Sequence, residues 1–407
     1  MTDDADRNRT VCIAFANGCP RARVNAALFG EYFQANGWKT CSDLRRAQLV
    51  VVFGCAVNAR SEKKTMRLLS AADRRRKPDS TLVIAGCAAG IAKKRLSERF
   101  DAFLVPPASN DLLDDLIGAE KKIHTIEDPN LIQPYIKKAQ GCFGSLDRVV
   151  SEFEVSTLFL SRVVDKIRNK HAGAPDEDVF LLRVARGCLD ECAYCAVRFA
   201  HGPLVSKPLS EILREFHKGI EAGCEHFIIL AGDIGAYGQD IGMNIAVLLE
   251  KLLTCQGNFA LHLKEFNPRW FVIYQAEILG VLRQYGARVK SIVFPIQSGS
   301  DRILKLMKRQ YTTKQIADCL GELRTAVPHA QLLTHIVVGF PGETEEEFNE
   351  TIELLTCAKF DDIAVYEYED RPLTASTDLP GKVSAKAKRR RMFRLLRKFP
   401  GVARPAL

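Results

Sequence analysis

The segment RGCLDECAYCAVRFAHG, residues 186–202, holds three cysteines, Cys188, Cys192 and Cys195, in the spacing Cys-x3-Cys-x2-Cys. A structural zinc wants four ligands, usually as two pairs. Three thiolates with no fourth close by suit a [4Fe–4S] cluster that leaves one iron open to a substrate or cofactor. The plainer readings are a structural zinc or a chance grouping of buried thiols. Three further cysteines, Cys19, Cys55 and Cys87, stand in the settings NGCP, FGCA and AGCA. Each follows a strand-like run, so a parallel sheet would gather them at one edge. On spacing alone, small buried residues beside turns are the stronger reading of this second trio.

Both trios need elements to position them. Short apolar runs at 11–16, 47–54, 81–86 and 101–105 alternate with helical patterns such as 59–76. This predicts a small parallel-sheet α/β domain over residues 10–118. Residues 119–178 carry weak signals and read as a connector with some helix around VSTLFLSRVVDKIRN. From Val179 the alternation resumes, with runs at 179–185, 226–232, 259–265, 289–296, 331–340 and 362–368. Six such units predict a partial (β/α)6 barrel of the TIM kind over 179–380. The Cys188 motif then falls in the first βα loop, on the face where barrel enzymes place their chemistry. Thr344 and Glu347 form a capping box that starts one helix. Glycine-bearing segments, LAGDIGAYG (230–238), FPIQSGS (294–300) and VVGFPGET (337–344), end three of the strands.

Composition narrows the class. Of 407 residues, 47% are hydrophobic and 26% charged, as in an ordinary globular chain. The start is acidic and polar, without a secretory apolar run, and no stretch is apolar enough to span a bilayer. The expectation is a cytoplasmic monomer with no membrane partner. Thirteen cysteines, an odd count, argue against a disulfide framework. The net charge of +9 is concentrated at residues 382–407, which hold ten Lys or Arg and no acid, leaving the rest at −1. RRRMFRLLRKF (389–399) reads as an amphipathic helix, apolar on the barrel side and basic toward solvent or an acidic partner.

The first trio, with Tyr194 in the aromatic slot before its last cysteine, resembles the radical S-adenosylmethionine (SAM) superfamily. That resemblance implies a [4Fe–4S] cluster on Cys188, Cys192 and Cys195 whose open iron binds SAM. It also implies cofactor contacts at Tyr194, at Gly232 and Asp233 beside the SAM amino group, and at Gln297, Ser298 and Gly339. The whole chain from Val11 to about Lys398 is similar to the methylthiotransferases of that superfamily. The motifs are the three Gly-Cys settings, QSGS, VGFPGET and VYEYEDRPLTAS (365–376). This implies a second [4Fe–4S] cluster on Cys19, Cys55 and Cys87. One SAM would methylate sulfur on that cluster and a second would supply the radical, with an electron donor such as flavodoxin or ferredoxin.

Departures from the family pattern are specific. Ala22 stands where Asn is usual, Phe53-Gly54 replaces Asn-Thr, His201-Gly202 replaces Arg-Gly, and His335 replaces Asp. The family's RNA-binding β-barrel is not matched, and AYGQD (236–240) looks more like the ribosomal-protein branch. The sequence therefore favours CH3–S insertion into a protein or peptide residue. The alternatives are methylthiolation of a hypermodified adenosine in tRNA, and another peptide modification in which the second cluster only carries electrons. A non-catalytic iron–sulfur protein is disfavoured because all six cysteines and the glycine segments are present. Cys142, in QGCFGS, has no assigned role. His335 reads as a core or hydrogen-bonded residue, or as a substrate contact.

Overall fold

The computed structural model describes residues 9–16, 19–131 and 179–406. Cys142 and the helix expected at 155–169 lie outside the described residues. Two compact units form: one runs to Leu181 and takes in Phe199–Gly202, and the other holds Leu182–Arg198 and the chain from Pro203.

In the first unit, β1 (Thr10–Phe15), β2 (Lys39–Thr40), β3 (Leu49–Phe53), β4 (Thr81–Ala85) and β5 (Phe103–Val105) form one sheet in the order β2-β1-β3-β4-β5. All its pairs are parallel. The run LVVVF of β3 is buried throughout, as a parallel strand covered on both faces requires. Phe29 and Phe33, from the helix Pro20–Ala35, pack on Val51, Phe53 and Val83. Strand order reverses between β1 and β3, the switch point where open α/β sheets offer a crevice at the strands' carboxyl ends.

In the second unit, which the chain enters within β6 (Val179–Arg183), that strand and β9 (His226–Leu230), β10 (Ala260–Leu263), β11 (Val289–Val293), β12 (Gln331–Val338) and β13 (Asp362–Glu367) lie side by side in chain order. These are the six expected barrel strands. A short antiparallel pair, β7 (Ala185–Arg186) and β8 (Val205–Ser206), flanks the cysteine loop. Parallel pairing continues to a strand the sequence reading missed, β14 (Ala403–Pro405), which adds to β13 at the sheet edge. Its Arg404 makes a two-pronged ion pair with Asp362 at 2.7 Å and 2.7 Å. No helix among the described residues is long and apolar enough to cross a membrane.

The expected basic helix forms over Ala385–Lys398, capped by Ser384. Its charge does not all face solvent. Arg391 is 3% exposed. It donates to Glu343 Oε2 at 2.6 Å, to Glu345 Oε1 at 2.9 Å and to the Glu343 carbonyl at 3.1 Å. Arg390 and Arg394 also donate to Glu345. The acids come from the start of the helix Glu345–Ala358, whose Thr344–Glu347 capping box is present as read. Negative charge at that helix's N-terminus thus meets the positive C-terminal helix.

Burial pushes the Glu343 carboxyl up to about 7, against the pull of the Gly339 amide and Arg391. Arg391→Met should strand this carboxylate and cost about 3–5 kcal/mol. Arg389→Gln, on the exposed side, should stay within about 0.5 kcal/mol. With a folded pKa above the unfolded value, Glu343 binds its proton more tightly in the folded state. The Arg391→Met penalty should therefore shrink as pH falls from above 7 toward 5. Urea midpoints of both variants at the two pH values check this; a penalty independent of pH would remove Glu343 as its cause.

Candidate functional site

The three cysteines of the first trio follow β6 and β7 in one loop. The Cys195 amide donates to the Cys192 carbonyl at 3.1 Å, which turns the chain between them. The loop is pinned between Cys192 and Cys195, because the Ala193 amide donates to Met307 O and its carbonyl accepts from Ser376 N, each at 3.0 Å. Tyr194 packs beside Ala193, Met307, Val337 and Phe340, edge-on to the Phe340 ring at 6.5 Å. The residue expected to touch cofactor therefore anchors the loop to the core.

A residue that the sequence reading missed stands beside the trio. Arg309 donates from Nη1 to Cys192 Sγ at 3.3 Å, from Nε to Tyr311 Oη at 2.7 Å and from Nη2 to Pro295 O at 3.0 Å. Burial would pull its guanidinium down, but Tyr311, Tyr194 and Cys192 hold it charged. Arg309 thus sets a fixed positive charge within hydrogen-bond reach of the Cys192 sulfur. Cys188 is the opposite case: burial and the Asp233 carboxylate push its thiol up. Bound iron would reverse that preference, since its own charge is the largest in such a site.

Gly232 ends β9 under the cysteine loop. A Cβ there would collide with the Gly187 carbonyl and lie 3.5 Å from Cys188 Cβ, so the backbone approach requires glycine. Asp233 is buried, and its carboxylate is engaged. Oδ1 accepts from Gly235 N at 2.9 Å and Asn267 N at 3.1 Å, and Oδ2 accepts from Trp270 Nε1 at 2.8 Å. Burial and then Asp190 push it up to about 7, while the amides of Asn267 and Gly235, with Arg309, oppose them. Asp190, inside the cysteine motif, accepts from the Asn267 amide group and pairs with Arg269 Nη1 at 2.8 Å. The segment Asn267–Trp270 thus ties the β9 and β10 loops to the cysteine loop. Its readable signal was Asn-Pro at a strand end, a helix cap followed by proline.

The remaining expected contacts are each held by bonds within the fold. Gln297 has φ 67°, a strained value for a non-glycine residue, held by backbone bonds to His335 O and Val337 N, each at 2.9 Å. Ser298 is fully buried, with its hydroxyl accepting from Ser300 N at 3.2 Å. The Gly339 amide donates to Glu343 Oε2 at 2.6 Å. His335 lies 3.8 Å from Glu265 Oε2 and 5.4 Å, ring to ring, from Tyr366.

In the first unit, Cys19 follows β1, Cys55 follows β3 and Cys87 follows β4, at one edge and around the switch point. Cys19 caps the helix Pro20–Ala35 through Sγ, accepting from Ala22 N at 3.4 Å. Thr65 braces Cys55, its hydroxyl bonded to both the Cys55 amide and carbonyl at 2.8 Å. Cys87 Sγ lies 3.3 Å from His201 Nε2. Among the described residues no three His, Cys, Asp or Glu converge on a single ion. All six cysteines are free thiols, and a [4Fe–4S] cluster with one open iron would be held by three of them.

Residues 182–355 match the radical SAM superfamily and residues 12–105 match an uncharacterized protein family, UPF0004. The chain is 27% identical over 370 residues to a probable threonylcarbamoyladenosine tRNA methylthiotransferase of Pyrococcus horikoshii, covering 90% of this chain and 79% of that one. It is 27% identical to a tRNA-2-methylthio-N(6)-dimethylallyladenosine synthase of Methylacidiphilum infernorum, covering 93% and 77%. It is 26% identical to the ribosomal protein uS12 methylthiotransferase RimO of Protochlamydia amoebophila, covering 93% and 74%. Among solved structures, the radical SAM methyltransferase TsrM of Kitasatospora setae shares the fold, with TM-score 0.62, 13% identity and coverage of 91% and 75%.

Anaerobically reconstituted protein should bind about eight iron, four per cluster. Cys188→Ala, Cys192→Ala and Cys195→Ala together should leave about half. Iron and sulfide analysis checks both values, and loss of all iron from the triple variant would contradict two separate centres.

Proposed function

Because the chain belongs to the radical SAM methylthiotransferase family, working with SAM and two [4Fe–4S] clusters, we propose that its substrate is a hypermodified adenosine in tRNA. The observation that carries this is similarity over nine-tenths of the chain, through both cysteine-bearing units, to enzymes named for that substrate. It replaces the protein or peptide substrate favoured on sequence. A ribosomal-protein enzyme is also similar, which keeps the second reading testable.

The chain's own residues divide the work. Cys188, Cys192 and Cys195 would hold the cluster that meets SAM, with Arg309 donating to Cys192 and Gly232 letting the β9 loop pack against the Gly187 carbonyl beside Cys188. Cys19, Cys55 and Cys87 would hold the second cluster. With SAM bound, such centres supply a carbon radical for C–H abstraction and a site for sulfur. Reduction needs a low-potential electron donor of the flavodoxin or ferredoxin class.

Gln297, Ser298 and Gly339 would shape the cofactor loops through their backbone, and Asp233 would hold the β9 loop against Asn267 and Trp270. Asp233→Ala should reduce SAM cleavage by more than tenfold while leaving the iron content near that of the parent. Asp233→Asn, which keeps the acceptor oxygen for the two amides, should retain more. Equal activity of parent and Asp233→Ala would remove this residue from the SAM loop.

The substrate test uses reconstituted protein, SAM and reductant with bulk tRNA or with ribosomal protein. The expected product is an adenosine in which one hydrogen is replaced by CH3–S, its sulfur supplied at the second cluster. It should form together with S-adenosylhomocysteine from the SAM that gives the methyl group, and with methionine and 5′-deoxyadenosine from the SAM whose radical takes the hydrogen. Binding to tRNA should weaken with salt by a slope of about −0.7 to −0.9 per phosphate contact. A methylthiolated peptide with unmodified tRNA would overturn the proposal.

A further inference from the structure

The segment Phe199–Gly202 belongs to the first compact unit, although it follows the cysteine loop of the second. Its seat there is close-packed. A Cβ on Gly90 would lie 2.6 Å from Ala200 Cα, so the helix Cys87–Ile91 and this segment touch backbone to backbone. Gly202, at φ 72°, turns the chain away, with Ala108 beside it. Between these fixed points stands His201, with Nε2 3.3 Å from Cys87 Sγ. Both side chains are half-buried.

We propose that His201 is a positioning residue for the second cluster, donating Nε2–H to the Cys87 sulfur and raising the reduction potential of that centre. The proposal rests on the reading that Cys19, Cys55 and Cys87 hold a [4Fe–4S] cluster. A metal-bound thiolate has no proton to give, so a bond between these atoms requires the proton on Nε2. Donation to a ligand sulfur draws charge from the cluster and stabilises the reduced form, as hydrogen bonds to cluster sulfurs do generally. The position departs from the Arg-Gly of the family pattern, so the donor here is a single imidazole N–H. The contacts at Gly90 and Gly202 fix the backbone that carries it. The corresponding donor at the other trio is Arg309, also at 3.3 Å from a cysteine sulfur.

The test isolates the second cluster in the Cys188→Ala, Cys192→Ala, Cys195→Ala background and follows its reduction by electron paramagnetic resonance. His201→Phe keeps a ring but removes the donor; His201→Gln keeps an N–H. The Phe variant should hold the same iron but reduce at lower potential. A tenfold fall in its reduction equilibrium corresponds to about 59 mV for one electron. The Gln variant should recover most of that shift. Pulsed measurements in the parent should show only a weak nitrogen coupling. An unmoved potential in the Phe variant, with iron retained, overturns the role of His201 alone. Loss of iron from both variants, or a strong nitrogen coupling, overturns it in favour of direct ligation. Absence of iron with His201 intact overturns the assignment of the cluster itself.

Discussion

A parallel strand begins at one edge of its sheet and ends at the other, so every loop that follows a strand emerges on the same side. The placement of the chemistry in this protein depends on that constraint. Cys19, Cys55 and Cys87 are separated by thirty-odd residues in sequence, yet they follow β1, β3 and β4 of one parallel sheet. In the other unit, Gly232, Gln297 and Gly339 follow β9, β11 and β12 by the same rule, as the Cys188 loop follows β6 and β7. The crossover connections that make the strands parallel also cover the sheet's faces, so its strands must be apolar on both sides. The fully buried LVVVF run of β3, with aromatic residues of Pro20–Ala35 on one side, supplies that burial in the first unit.

Gathering thiolates at a sheet edge creates an electrostatic problem that the rest of the site answers. Asp190 and Asp233 are both buried near the Cys188 loop, and each adds negative charge where thiolates are expected. The structure sets Arg269 against Asp190, and two backbone amides and an indole N–H against Asp233. Arg309 is placed directly on Cys192. Buried charges are tolerated when they are paired and hydrogen-bonded. The same logic recurs at the C-terminal helix, where Arg391 and Glu343 share a buried contact. A run of arginines that reads as a surface for polyanions is partly consumed by the fold's own acids.

That difference shows where the sequence was legible. Strand alternation revealed ten of the parallel strands, because apolar runs of strand length need only local reading. The short β2 and β14 escaped, since two or three residues carry no periodicity and their strand character comes from the neighbour they join. The cysteine spacing revealed the first trio, and a resemblance was needed for the second because no local motif links its members. Arg309, Asn267 and Trp270 were invisible for a related reason. Each lies far from its partner in sequence: Arg309 is 117 residues from Cys192, and Trp270 is 37 from Asp233.

The residues expected to touch the cofactor also have work to do within the fold. Gly339 spends its amide on Glu343, Ser298 uses its hydroxyl on Ser300, and Asp233 uses both carboxylate oxygens on the neighbouring loop. Tyr194 fills a gap in the core. A loop at a strand end has few ways to satisfy its own backbone groups as it leaves the sheet, and these residues supply partners for them. The motif records the solution to that packing problem.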